Sequence, residues 1–105
     1  GQNLAGRILV VDPSVLKDPY KTSDNQLFLA QSGNGCYPRA SGTKVFGTFL
    51  NDGERSFLYR TDFAGILKDE YIPDWAKQAI RDAQEEEQEM EQEESQEQDS
   101  GMQMQ

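Results

Sequence analysis

One cysteine, Cys36, sits in the run Ser32-Gly33-Asn34-Gly35-Cys36-Tyr37-Pro38-Arg39-Ala40-Ser41-Gly42, and its thiol is the most reactive group the chain offers. A cysteine nucleophile ordinarily gives its proton to a histidine, and the sequence contains none. Arg39 would lower the thiol pKa somewhat, but the residue types favour Cys36 as a small packing residue. Zinc needs several Cys or His ligands, against one in the whole chain. Asn51, Asp52 and Glu54 offer oxygen ligands for calcium, yet an Asp-Gly hairpin accounts for the same residues. Two motifs are decoys. Ser41-Gly42-Thr43-Lys44 fits S-x-x-K and Ser23-Asp24-Asn25 fits S-D-N, signatures of serine β-lactamases. Their order is reversed, no K-T-G follows, and 105 residues cannot hold that fold. Gly33-Asn34-Gly35 lacks the continuation a phosphate cradle requires. The expectation is a non-enzymatic chain with no cofactor and no metal.

Binding is the chemistry left. Tyr37, Arg39, Arg55, Tyr59 and Arg60 combine aromatic and basic side chains, the mixture single-stranded nucleic acid prefers. Against it, residues 1–82 carry ten bases and ten acids, and residues 83–105 carry nine acids and no base. The net charge of −9 therefore belongs to the tail, which would compete for any basic groove. Asn34, Tyr37, Arg39, Arg55 and Arg60 stand as candidate contacts for a protein or a nucleic acid. The plainer reading makes Tyr59 core and the arginines solvated strand flanks. The tail also reads two ways. It is a solvating end, or a polyanion that imitates a phosphate backbone and acts as an acidic decoy of the anti-restriction type.

The elements that must position these residues follow from pattern. Arg7 to Val11 is an apolar run stopped by Asp12-Pro13, a short strand buried on both faces. Asp12 to Asn25 is loop chemistry, and Gln26 to Ser32 reads as a second strand. Three glycines, a proline and an asparagine in residues 32–42 predict a loop with positive φ at several points. Thr43–Leu50 and Arg55–Arg60 read as a hairpin closed by Asp52-Gly53 in a type I′ turn. That register pairs Leu50 with Arg55, Thr48 with Phe57 and Phe46 with Tyr59. One hairpin face carries Phe46, Leu50, Phe57 and Tyr59, the other Val45, Gly47, Phe49 and Leu58. With both faces apolar the ribbon should curl, Gly47 allowing the bend, and dimerisation through one face stays open.

Residues 61–71 read as a connection with a turn-like piece at Phe63–Leu67. Pro73 opens the one helix, where its missing N–H costs nothing. Trp75, Ala76, Ala79, Ile80 and Ala83 share a face, with Trp75 and Ile80 as packing anchors. Like-charge pairs such as Glu85/Glu89 and Glu87/Glu91 predict fraying near residues 86–90. The fold class expected is mainly β (α+β): a small curled antiparallel sheet or partly open barrel of about four strands with one C-terminal helix, over residues 1–83. Residues 84–105 form a Glu/Gln-rich acidic tail, too polar to fund its own ordering and so expected to be disordered. The longest aliphatic run, Ile8–Val11, is far too short to span a membrane, and no signal segment opens the chain, so the expected location is cytoplasmic. Gly1 in place of Met points to a trimmed start.

Leu29-Ala30-Gln31-Ser32-Gly33-Asn34-Gly35-Cys36-Tyr37-Pro38-Arg39-Ala40-Ser41-Gly42, then Val45-Phe46 and Leu50-Asn51-Asp52-Gly53-Glu54, form a recognisable run. Arg60-Thr61-Asp62-Phe63, Leu67-Lys68 and Ile72-Pro73-Asp74-Trp75-Ala76 continue it. Together these resemble a family of uncharacterised small proteins and domains encoded on conjugative and integrative elements of gut bacteria, chiefly Firmicutes. The resemblance covers about residues 26–80. It implies a cytoplasmic accessory protein of a mobile element, with no catalytic residues to carry over.

Overall fold

The computed structural model describes residues 3–103, with side chains through Met90. Five strands and one helix follow in order: β1 (Ile8–Val11), β2 (Leu27–Ser32), β3 (Lys44–Phe49), β4 (Arg55–Tyr59), β5 (Phe63–Ile66) and α1 (Asp74–Gln103). All pairings are antiparallel, in the spatial order β4-β3-β2-β1-β5. The sheet is open, with no ladder between β4 and β5 among the described residues, so of the two expected forms, antiparallel sheet or partly open barrel, the barrel is not formed.

The open sheet is nevertheless coiled. Only Arg60–Asp62 join Tyr59 on one edge to Phe63 on the other. Four Cα steps span at most roughly 14 Å, whereas crossing five flat strands takes four spacings of about 4.8 Å, roughly 19 Å. The two edges must therefore approach each other where the chain crosses.

Each face of the sheet carries a core. Leu9, Val11, Phe28, Ala30, Val45 and Cys36 are buried on the inner face, with Phe49, Leu58, Phe63 and Ile66 packed against them. Phe28 sits at its centre, edge-on to Phe49 at 5.0 Å and tilted against Phe63 at 5.6 Å. On the outer face Ile8, Leu27, Leu29 and Leu50 are covered by Ala76 and Ala83 of α1, with Ala79 and Ile80 alongside. Full burial of a Leu or Phe side chain contributes about 1.5–3 kcal/mol. β1 and β2 are buried on both faces, which explains their unbroken apolar runs.

The remaining departures have physical causes. Phe63–Ile66 is a fifth strand rather than a turn. Ala64 and Gly65 give it no apolar alternation, and a register shift against Val10/Val11 further conceals it. The β3–β4 register is displaced by two residues: Thr48 opposes Arg55, Phe46 opposes Phe57 and Lys44 opposes Tyr59. A shift of two preserves the faces, so the same rings still share one side. The turn is longer than a type I′ pair. Gly53 N–H donates to the Phe49 carbonyl at 2.9 Å, and Phe49 N–H to Glu54 at 2.9 Å. Gly53 alone has positive φ (74°), and Asp52 instead accepts from Glu54 N–H at 2.9 Å, so its side chain closes the turn.

Trp75, expected as an anchor, is 39% exposed; small Ala76 and Ala83 make the close contact instead. The helix does not fray near residues 86–90 but is described as helical to Gln103. Glu and Gln are strong helix formers, and like-charge pairs on an exposed face oppose that by only about 0.2–0.5 kcal/mol each. The last two residues of the expected tail, 104–105, lie outside the described residues. Among the described residues no helix is long and apolar enough to cross a membrane.

Candidate functional site

Cys36 is fully buried, and its thiol donates to the Ser32 carbonyl at 3.2 Å. Burial pushes its pKa above the ordinary thiol value, against a smaller opposing pull from the Arg60 charge. The cation that faces it is thus Arg60, not Arg39, and desolvation wins. A protonated, inaccessible thiol is a packing group at neutral pH. No three His, Cys, Asp or Glu side chains gather as a metal site among the described residues. At the hairpin turn the oxygens are otherwise engaged: Asp52 accepts from Glu54 N–H, and Asn51 Nδ2 donates to Asn25 Oδ1 at 2.8 Å.

The five candidate contacts separate into two groups. Asn34, Tyr37 and Arg60 come together, but through backbone. Arg60 Nε donates to the Gly35 carbonyl at 2.7 Å, and Nη2 reaches the Asn34 carbonyl at 3.3 Å and the Tyr37 carbonyl. Arg60 is therefore the clasp of the glycine-rich loop rather than a free contact. Leu4 N–H adds a bond to the Cys36 carbonyl at 2.7 Å, and Arg60 N–H one to Thr43 at 2.9 Å. Of the loop's glycines only Gly33 has positive φ (99°). The loop is pinned, and it presents the exposed side chains of Asn34, Tyr37 and Arg39. Arg55 lies at the far end of β4, where its guanidinium meets the Met90 sulfur of α1.

Between these groups lies a surface only partly foreseen. Phe46, Phe57 and Tyr59 stand side by side on the outer face of β3 and β4, beyond the area α1 covers. They are 41%, 41% and 45% exposed. The Phe46 and Phe57 ring centroids are 5.7 Å apart, and Tyr59 meets Phe57 edge-on at 5.9 Å. Lys44 Nζ sits 4.7 Å from the Phe57 centroid, a cation–π contact. Lys44 and Arg55 are the charged residues of this face on the two strands, and the acids nearest them, Asp82 and Glu86 of α1, lie beside Thr48 at the turn end. The hairpin faces were legible from alternation; what was missing was that α1 reaches β4 only at Arg55 and leaves three rings uncovered.

No protein-family model, no curated protein and no solved structure matches the chain.

Proposed function

We propose that this chain is a non-enzymatic binding module that receives an anionic, apolar segment of a partner protein on the outer face of β3 and β4. The observation that carries the reading is the exposed trio Phe46, Phe57 and Tyr59, flanked by Lys44 and Arg55 with no acid among the strand residues of that face. Aromatic rings held rigid on strands offer large contact area at little entropy cost, and aromatic residues dominate binding hot spots. The pinned loop adds Tyr37 and Arg39 as a rim. A protein is favoured over single-stranded nucleic acid because Lys44 covers one Phe57 face and Tyr59 stands at 88° to Phe57. Successive bases need unobstructed ring faces on which to stack. On the resemblance of residues 26–80, the setting is an accessory role in the cytoplasm for the machinery of a mobile genetic element, and the partner belongs among proteins encoded beside this chain.

The test is a binding titration of those neighbouring gene products against the full chain and three variants. Phe46→Ser with Tyr59→Ser should weaken binding by about tenfold or more, and deletion of residues 84–105 should leave it intact. Loss on tail deletion with no effect of the ring variants would replace this reading with the acidic decoy. Tight, salt-sensitive binding of a single-stranded oligonucleotide, abolished by Lys44→Ala and Arg55→Ala, would replace the protein with a nucleic acid.

A further inference from the structure

We infer that two copies of this chain join edge to edge through β4, so that the partner's Arg55 completes the aromatic platform of each. This pairing is independent of which protein the platform receives.

The phase of the β3–β4 ladder is set at both ends, by Phe49 N–H donating to Glu54 and Arg60 N–H donating to Thr43, each at 2.9 Å. Antiparallel residues alternate between pairs that exchange hydrogen bonds and pairs that do not. Ser56 and Leu58 therefore turn their N–H and C=O inward to β3, and Arg55, Phe57 and Tyr59 turn theirs outward. Tyr59 is already served. Its N–H donates to Asp62 Oδ2 at 2.7 Å, and as the residue capping the 60–62 turn it supplies the first carbonyl acceptor. The N–H and C=O of Arg55 and of Phe57 remain, with no strand beyond them among the described residues.

Edge strands are ordinarily blunted by proline, lysine, a bulge or a covering element. β4 has no proline, lysine or bulge, Arg55 at its start is its one charged side chain, and four of its five residues are exposed. A second copy meets the four open groups in one register. With a two-fold axis at Ser56, Arg55 opposes the partner's Phe57, and each such pair exchanges two hydrogen bonds. An axis at Phe57 would instead oppose Arg55 to the partner's Tyr59, whose groups are taken. The Ser56 register also opposes no like charges, since Glu54 stands across from the partner's Leu58. Residues directly opposite share a face, so Arg55 comes beside the partner's Phe57 ring from the outward edge, across from Lys44 on β3. Met90 sulfur, a weak acceptor, is what Arg55 would leave. The rings of both copies then form one continuous platform. A contact along one short strand lies at the small end of interface sizes, so association is weak and concentration-dependent.

Ser56→Cys tests the register. At a pair that exchanges no hydrogen bonds the Cα atoms stand about 4.5 Å apart, within disulfide range, and the native Cys36 is buried. Mild oxidation should join Ser56→Cys chains at least about tenfold faster than Ser23→Cys chains, an exposed control outside the strands, because pairing raises the local thiol concentration. Sedimentation from micromolar to millimolar should show the unmodified chain shifting toward dimer. Arg55→Pro, which removes an outward N–H without touching the β3 ladder, should stay monomeric with an unchanged far-ultraviolet circular dichroism spectrum. Equal cross-linking at Ser56 and Ser23, or a monomer at millimolar concentration, would overturn the pairing. A chain that stays monomeric yet loses partner binding on Phe46→Ser would keep the platform reading and remove only the dimer.

Discussion

Arg60 Nε donates to the Gly35 carbonyl at 2.7 Å, and that bond fastens the glycine-rich loop to the turn linking the two sheet edges. The guanidinium also serves the carbonyls of Asn34 and Tyr37. A planar donor fork suits such converging acceptors better than an ammonium does.

Arg60→Ala should therefore destabilise the fold by about 1–3 kcal/mol, since hydrogen bonds from a charged group are lost, one of them to the part-buried Gly35 carbonyl. Urea unfolding measures the loss, and amide exchange at Cys36 and Tyr37 should accelerate selectively. Arg60→Lys should recover less than half, because a point charge cannot reach three carbonyls at once. Full recovery would mean that charge alone matters at this position.

The two roles of arginine along β4 were not separable in the sequence. Arg55 and Arg60 carry the same side chain at the two ends of one strand, yet one is exposed beside Met90 and the other is spent on backbone carbonyls. The difference arises from the loop's path, which Gly33 and Gly35 set over long range. By contrast the hairpin faces, the buried β1 and the helix start at Pro73 were legible, because each depends on local alternation or a backbone constraint. β5 was not, since Ala64 and Gly65 carry no apolar signal and pairing with β1 alone makes them a strand. The aromatic platform was half legible. Alternation groups Phe46, Phe57 and Tyr59, but only the helix placement decides that they stay uncovered.

Gly47 tests how closely β3 approaches β2. It opposes Ala30, and a Cβ there would meet the Leu29 carbonyl oxygen and lie 2.7 Å from the Phe28 ring. Backbone and a fully buried ring cannot both yield. Gly47→Ala should cost about 1–3 kcal/mol from overpacking, although alanine is ordinarily the better residue in regular structure. Thermal unfolding should drop by about 4–8 °C per kcal/mol for a domain of this size. An unchanged midpoint would show that β3 can move away from β2.

Cys36 makes a prediction about pH. Burial raises its folded pKa above the unfolded value, so the folded state holds the proton more tightly. Its contribution is complete below the ordinary thiol value near 9.0 and is lost as pH rises from there through the folded pKa. Stability should fall with alkaline pH more steeply in the native chain than in Cys36→Ala, which lacks the thiol and is less stable at neutral pH. At pH 8 alkylation of the folded chain should be slow and tied to unfolding. Rapid alkylation under native conditions would show an accessible thiol.

Trp75 and Ala83 make opposite predictions from their sizes. Tryptophan is the largest side chain on α1, but at 39% exposure it lies outside the cluster that joins helix to sheet. Ala83, with Ala76, sits buried against Leu27, Leu29 and Leu50 and sets how near the helix axis comes. Trp75→Ala should cost less than about 1 kcal/mol, well below the 3–5 kcal/mol of a core tryptophan. Ala83→Leu should cost about 1–3 kcal/mol, because added methylenes force helix and sheet apart. Denaturant unfolding of the two variants side by side decides the matter. A large loss at Trp75 with none at Ala83 would mean that the helix docks through the side that carries Trp75 and not through the Ala76 and Ala83 stripe.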